Sequence, residues 1–130
     1  MSIDIKIKKG LTIKLKGEAD KTLSSAPRSR TFAIRPSNFH LIKPKMAVKE
    51  GAKLQAGDTI FYSKDREEIK FVSPVSGTLV AIERGQKRVI NELVIDADKE
   101  DSYKDFGIVN PDSMQPDEIK SHLLAAGCWP

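Results

Sequence analysis

The side chains best suited to chemistry in this sequence are few and scattered. Its histidines are His40 and His122, and its one cysteine, Cys128, lies near the end of the chain. Cys128 has no second cysteine or paired histidine at metal-ligand spacing, and no basic neighbour to activate it as a thiolate. The adjacent Glu67 and Glu68 are expected to point to opposite sides of a strand rather than to form an acid/base pair. These residues therefore predict neither a metal centre nor a catalytic site.

A group of cations surrounds a glycine between two predicted strands. Arg84, Lys87 and Arg88 flank Gly85 at the expected tip of a hairpin. Such tips are usually solvated, but the same charges also suit a docking point for an acidic partner. Arg84, Lys87 and Arg88 are therefore the candidate partner-docking residues, with a merely solvated tip as the alternative.

Charge is distributed unevenly along the 130 residues. Residues 1–90 hold 19 Lys and Arg against 9 Asp and Glu, whereas residues 91–130 hold 3 against 9. A basic front part suits an acidic protein surface, phosphates or anionic lipid headgroups. Nucleic acid is disfavoured as a partner, because only 6% of the residues are aromatic and no stacking motif alternates with the lysines.

The composition predicts one compact domain with short additions. Apolar residues make up 39% of the chain, which is enough for a core of that size. No run approaches the roughly 18 apolar residues needed to cross a bilayer, and the first residues do not form a secretory signal. We therefore expect no transmembrane segment.

Alternation of apolar and polar residues predicts two strands at the start of the chain. Ile3, Ile5 and Ile7 share one strand face, and the pattern resumes at 11–15 after Gly10. The stretch 18–30 is rich in Ser, Ala, Pro and Lys and is expected to be a loop, with extended chain at 31–34. Residues 1–39 are thus predicted to be an N-terminal β-hairpin and a loop.

Residues 40–98 are predicted to form a small all-β sandwich, because short apolar runs alternate there with Gly, Pro and Asp. The candidate strands lie at 41–42, 47–48, 59–62, 69–72, 78–82 and 93–95. Residues 99–130 are expected to be a linker and one C-terminal helix, which starts near Pro116, ends at a left-handed Gly127 and leads to a further part beyond Pro130. The predicted fold class is mostly β (α+β).

Six residues are expected to set the turns of the sandwich. Glycine takes positive φ in turns at little cost, and proline favours turn positions. The six are Gly51, Gly57 and Asp58 in the segment 48–60, and Ser73, Pro74 and Gly77 in the segment 73–80. The two segments resemble the half-motifs of the biotinyl/lipoyl carrier family, and this resemblance implies a barrel-sandwich hybrid fold.

In that carrier family, a lysine in a tight hairpin upstream of the Pro-x-x-Gly turn holds the cofactor. The nearest lysines here are Lys64, in a turn-like segment without the usual Met-Lys-Met or Asp-Lys-Ala setting, and Lys70, inside an apolar run. We therefore expect a carrier-like fold that lacks the modified lysine. A lipoyl or biotinyl carrier modified on Lys64 is the alternative.

A longer resemblance extends over nearly the whole chain. It rests on Ser-Pro-Val-Ser-Gly at 73–77, Arg-Gly-x-Lys-Arg-Val at 84–89 and Leu-x-x-x-Gly-x-Trp at 123–129. Together with the segments 7–11 and 46–57, these occur in the same order in the A subunits of the sodium-translocating NADH:quinone oxidoreductases. The chain resembles the N-terminal part of that family.

This resemblance implies a peripheral subunit on the cytoplasmic side of a bacterial inner membrane, in a complex that couples NADH oxidation and ubiquinone reduction to sodium export. The flavins and iron–sulfur centres are then expected in other subunits, and ubiquinone contact is a further expectation with no residue assigned to it. The sequence agrees, because it has no cysteine cluster and no Gly-x-Gly-x-x-Gly motif. A third interpretation is the related subunit of an NADH-linked, ion-pumping electron-transfer complex.

Overall fold

The computed structural model describes Gly10 and residues 16–128. The predicted N-terminal hairpin, which involves residues 3–7 and 11–15, lies outside the described residues. Within the described part, the chain forms two antiparallel sheets and one α-helix. The predicted mostly β sandwich with a single C-terminal helix is confirmed there.

The larger sheet has four strands in the order β1-β7-β6-β3, and the smaller sheet has three in the order β2-β4-β5. All their pairings are antiparallel. The strands are β1 (Thr31–Ile34), β2 (Pro44–Met46), β3 (Lys53–Leu54), β4 (Thr59–Ser63), β5 (Lys70–Val72), β6 (Gly77–Arg84) and β7 (Ile90–Ala97). Short 3-10 turns occur at Pro36–Asn38 and Pro111–Ser113, and the helix α1 is Pro116–Ala125.

One apolar core joins the two sheets. The apolar residues with no exposed surface are Ile60 and Phe61 from β4, Leu79 from β6, and Leu93 and Ile95 from β7. Burying an aliphatic or aromatic side chain of this size contributes about 1.5 to 3 kcal/mol. A bulge between Thr59 and Phe61 breaks the strict alternation of β4, which allows consecutive residues to be buried.

Two of the predicted strands are wrong. Leu41, in the predicted strand 41–42, is left-handed at φ 61, and residues 47–48 form a bend. The strand β2 lies between these stretches, and β3 was not predicted. Phe39 packs its ring 4.5 Å from that of Phe71, so the chain turns after Phe39 instead of extending. Pro44 is tolerated in β2 because this strand lies at the edge of its sheet.

Chain on both sides of residues 40–98 packs onto the sandwich, on one side as a sheet strand and on the other through an isolated bridge. The strand β1 lies ahead of His40 and pairs with β7, Thr31 opposite Asp96. After β7, Tyr103 forms a parallel bridge with Ala56. The helix also agrees with its predicted ends, since Pro116 starts it and Gly127, at φ 70, follows it.

The predicted turn residues surround the start of β6. Gly51 and Gly57 have φ of 84° and 99°. The Gly57 N–H donates to the Ser73 carbonyl at 2.8 Å, and the Ser73 N–H donates to the Asp58 carbonyl at 2.8 Å. Gly57, Asp58 and Ser73 are thus brought together from the two sequence segments, while Pro74 is exposed in the turn before Gly77.

Gly77 is required by a close approach of two backbones. A Cβ on Gly77 would overlap the Asp96 carbonyl and lie 2.9 Å from the Ala97 Cα. Both atoms are backbone of β7, so a neighbouring side chain cannot move aside to make room.

We expect Gly77→Ala to lower the free energy of unfolding by about 3 kcal/mol or more, because overpacking and backbone displacement add at this site. Urea unfolding measures this change. Gly107→Ala is the matched control: Gly107 has φ 76, and a Cβ added to it would meet nothing within 4 Å, so this change should cost only about 1 kcal/mol. Equal losses in the two variants would contradict the close-approach explanation.

Candidate functional site

The hairpin joining β6 and β7 ends in a tight turn over residues 86–89. The Val89 N–H donates to the Gln86 carbonyl at 3.2 Å, and the Gly85 N–H donates to the Val89 carbonyl at 2.8 Å. The central residues are both left-handed, Lys87 at φ 54 and Arg88 at φ 63. Positive φ at both central positions is the pattern of a type I′ turn, which suits the twist of a hairpin.

The three predicted docking residues meet at this turn. Arg84, Lys87 and Arg88 are exposed, and the Arg84 Nη1 donates to the Arg88 carbonyl at 3.4 Å. The ion pairs within the described part of the chain involve other cations: Arg28, Arg30, Arg35, Lys43, Lys45 and Lys104. We call Arg84, Lys87 and Arg88 the cationic tip.

The turn at the cationic tip carries residues that its backbone disfavours. Type I′ turns strongly prefer Asn-Gly, because left-handed residues with a Cβ are strained by roughly 1 to 2 kcal/mol. Lys87 and Arg88 bury nothing that would offset this cost, since both are exposed. Backbone strain that no packing compensates is found mainly at functional sites. Here the strained residues are also the two that carry positive charges.

A shallow groove lies beside the cationic tip. Arg84 lines it together with Lys49, and its apolar wall comes from Met46, Val48 and Ile82. The Glu50 carboxylate closes one side by accepting the Ile82 N–H at 2.6 Å. The groove has a volume of about 440 Å³, which is in the range of a small binding cleft.

A polar clasp holds the other end of the hairpin. The Asp101 carboxylate accepts hydrogen bonds from Nη1 and Nη2 of Arg28, at 2.8 and 2.6 Å, and from the Ser76 N–H at 2.9 Å. The Ser76 hydroxyl, which is fully buried, lies 2.9 Å from an Asp98 carboxylate oxygen and accepts the Ser102 N–H at 3.0 Å. The clasp ties the chain after β7 to the turn before β6.

The clasp was not predicted from the sequence. Arg28 and Asp101 are 73 residues apart, and nothing in either segment identifies its partner. The Arg28 guanidinium and then the Ser76 N–H hold the pKa of Asp101 below its usual value, against a smaller opposing effect of burial. The Asp101 side chain is only 12% exposed, so the carboxylate is shielded inside its ring of donors.

The remaining candidates for chemistry are dispersed. Lys64 is exposed at the start of the loop between β4 and β5, and Lys70 lies in β5. Glu67 and Glu68 lie in a turn of that loop, not in a strand as expected, and Glu67 pairs with Lys45. Cys128 and His40 are exposed.

No group of three metal-ligating side chains comes together among Gly10 and residues 16–128. The only α-helix in that part of the chain, Pro116–Ala125, is too short and too polar to span a bilayer.

We expect acid to weaken the clasp. Because the folded pKa of Asp101 is lowered, its stabilising effect is complete above the unfolded value of about 3.9 and is lost as the pH falls through the folded pKa. Asp101→Asn should therefore lower stability at neutral pH and flatten the loss of stability below about pH 4. Urea midpoints measured from pH 7 to pH 2 test this, with the exposed Glu68→Gln as the control. An unchanged acid slope in Asp101→Asn would contradict it.

Replacing the strained turn by its preferred sequence should stabilise the fold. We expect Lys87→Asn with Arg88→Gly to raise the free energy of unfolding by about 1 kcal/mol, since it removes left-handed strain and like-charge repulsion. Thermal and urea unfolding measure the gain. Lys64→Asn with Arg66→Gly, which removes the same charges from another exposed loop, should give no gain. A loss of stability in the turn variant would show that the two side chains make stabilising contacts.

Comparison with known proteins identifies the family. The profile of the NqrA N-terminal barrel-sandwich hybrid domain matches residues 5–98. The chain is 32% identical over 126 residues to the A subunit of the Na(+)-translocating NADH-quinone reductase of Marinomonas sp. (strain MWYL1), covering 95% of this chain and 28% of the relative. It is 33% identical over 128 residues to the corresponding protein of Alcanivorax borkumensis, covering 96% of this chain and 29% of that relative.

The corresponding protein of Pseudomonas aeruginosa (strain UCBPP-PA14) is 31% identical over 128 residues, with similar coverage of 96% and 28%. The chain thus spans a little over a quarter of the length of the relatives it matches. The family match covers all of β1 to β7 and agrees with the predicted barrel-sandwich hybrid fold. This chain belongs to the NqrA N-terminal barrel-sandwich hybrid domain family.

Proposed function

We propose that this chain is a structural and docking part of the NqrA subunit in a membrane complex that couples NADH oxidation and quinone reduction to sodium export. The observation that carries the proposal is the family match over residues 5–98. The relatives are named as the A subunits of Na(+)-translocating NADH-quinone reductases. The chain acts as a peripheral part, attached on the cytoplasmic side of the bacterial inner membrane through other subunits of the complex.

The redox chemistry is assigned to the wider complex. Iron–sulfur clusters need several cysteine ligands, and this chain has one cysteine. In this proposal the iron–sulfur centres, NADH and the flavins belong to other parts of the assembly, and ubiquinone belongs to the complex rather than to a named residue of this chain. The contribution of this chain is a rigid β-sandwich that presents charged surfaces to its neighbours.

A carrier function is the second candidate. Lys64 favours it, because this lysine is exposed between β4 and β5, in a hairpin loop like that of a carrier lysine. However, the loop spans several residues, and Lys64 lies at its start with its N–H donating to the Lys43 carbonyl at 2.8 Å. This differs from the tight hairpin of the carriers. The related subunit of another NADH-linked, ion-pumping complex is the third candidate, which Cys-x-x-Cys clusters downstream would favour.

Purification of the tagged protein from membranes of cells that produce it tests the proposal. We expect it to bring down the other subunits of the complex and to be released by high salt, as is usual for a peripheral membrane protein. Its intact mass should equal that of the unmodified chain. An added lipoyl or biotinyl mass that Lys64→Arg abolishes would establish the carrier function instead.

Activity measurements complete that test. The purified protein, freed of other subunits, should neither oxidise NADH nor reduce ubiquinone, whereas the intact complex should do both. Turnover by the separated chain would overturn the proposal of a non-redox part, and failure to recover any other subunit would overturn the assignment to the complex itself.

A further inference from the structure

We infer that the cationic tip and the groove beside it form a docking site for a carboxylate-bearing surface of another protein subunit. This inference rests on the proposed function within the complex and adds the site and the chemistry of the partner. The partner surface would present two or more Asp or Glu side chains to the tip and one apolar side chain to the groove.

The first argument is the position of the charges. Arg84, Lys87 and Arg88 project from the end of the β6–β7 hairpin, and all three are exposed without a carboxylate partner in the described part of the chain. Two of the three are arginines, whose planar guanidinium pairs with carboxylates through two parallel hydrogen bonds. The cationic tip therefore presents two guanidinium groups and one ammonium group to an acidic surface.

The second argument is the fixed backbone of the turn. The left-handed Lys87 and Arg88 are held by the hydrogen bonds Val89 N–H to Gln86 O at 3.2 Å and Gly85 N–H to Val89 O at 2.8 Å. A partner that binds this turn does not have to order a flexible loop, so less free energy is lost on association. If binding requires Lys87 and Arg88 at fixed positions, this requirement explains why the strained backbone of the turn is retained.

The third argument is the groove, which continues from the tip through Arg84. Its wall combines Lys49 and Arg84 with the apolar side chains of Met46, Val48 and Ile82. Protein interfaces typically seat an apolar side chain in such a cleft, surrounded by charged groups that fix its orientation. Val89, 58% exposed next to Arg88, adds a further apolar contact at the tip.

These features favour a protein surface over an anionic membrane. Membrane attraction depends on net charge density and typically uses about 4 to 8 cations, whereas this site combines four cations, Lys49 included, with two carboxylates. Glu83 is exposed beside Arg84 and Glu50 lies in the groove, and both would be repelled by anionic lipid. A mixed pattern of charges that opposes a lipid surface can select one orientation of a protein partner.

Zero-length cross-linking of the intact complex tests the inference directly. A water-soluble carbodiimide joins a lysine amine to a carboxylate only where the two are in contact. After isolation of the complex through a tagged membrane subunit, mass spectrometry should identify a peptide containing Lys87 joined to an Asp or Glu of another subunit. Lys64, in the exposed β4–β5 loop, should give no such product and serves as the internal control.

Charge variants provide the second readout. Lys87→Asn with Arg88→Gly keeps the turn but removes two cations, and we expect it to weaken retention in the complex about tenfold, most clearly as salt is raised. Lys64→Asn with Arg66→Gly removes the same charges elsewhere and should retain full association. Because the turn variant is expected to be at least as stable as the parent, weaker association cannot be attributed to unfolding.

Other outcomes would each overturn the inference. Amine labelling of Lys87 that is equally fast in the complex and in the separated chain would mean that the tip is solvated. Protection by phosphatidylglycerol vesicles without a protein cross-link would indicate a membrane contact, and a cross-link to the acidic residues 98–118 of a second copy would indicate self-association. In all three cases the other subunits would still co-purify, so the proposed function within the complex would stand without this docking site.

Discussion

Pairing between β6 and β7 is the interaction on which the rest of this structure depends. Leu79, Leu93 and Ile95 lie on these strands with no exposed surface, and together they contribute on the order of 5 to 9 kcal/mol of apolar burial. The hairpin also has a distinct function at each end. Gly77 allows the strands to meet closely beside the polar clasp, and at the opposite end the type I′ turn presents the cationic tip. A single hairpin thus links the core, the clasp and the candidate docking surface.

At one end of the hairpin the residue types suit the structure that they adopt, and at the other end they do not. At the clasp, the buried Ser76 has partners for both its hydroxyl and its N–H. At the tip, the sequence opposes the backbone, because Lys87 and Arg88 occupy positions that Asn and Gly prefer. Natural sequences are locally consistent except where function intervenes. This contrast is the physical reason for assigning structure to one end and recognition to the other.

The carrier-like fold is separable from carrier chemistry. The turn residues Gly57, Asp58 and Ser73 come together through backbone hydrogen bonds, and the sandwich is preserved. The loop between β4 and β5, by contrast, presents Lys64 at its start and forms the ion pairs Lys43–Asp65 and Lys45–Glu67 on its flanks. A fold fixes where loops emerge, and the chemistry depends on what each loop carries. In the β4–β5 loop cations and carboxylates are mixed, whereas the turn of the β6–β7 hairpin carries cations at both central positions.

The sequence by itself determined the fold class, most of the central strands, the glycine turns and the ends of α1, because these depend on local periodicity, on glycine conformation and on proline at a helix start. It also located Arg84, Lys87 and Arg88 at a hairpin tip. Only the tertiary structure decided that Leu41 turns away from the expected strand, because Phe39 packs against Phe61 and Phe71. It alone paired Arg28 with Asp101, since contacts between residues 73 apart leave no periodic signal. The strain at Lys87 and Arg88 was likewise invisible in the sequence, because backbone dihedrals at a turn are set by the pairing of the strands that enter and leave it.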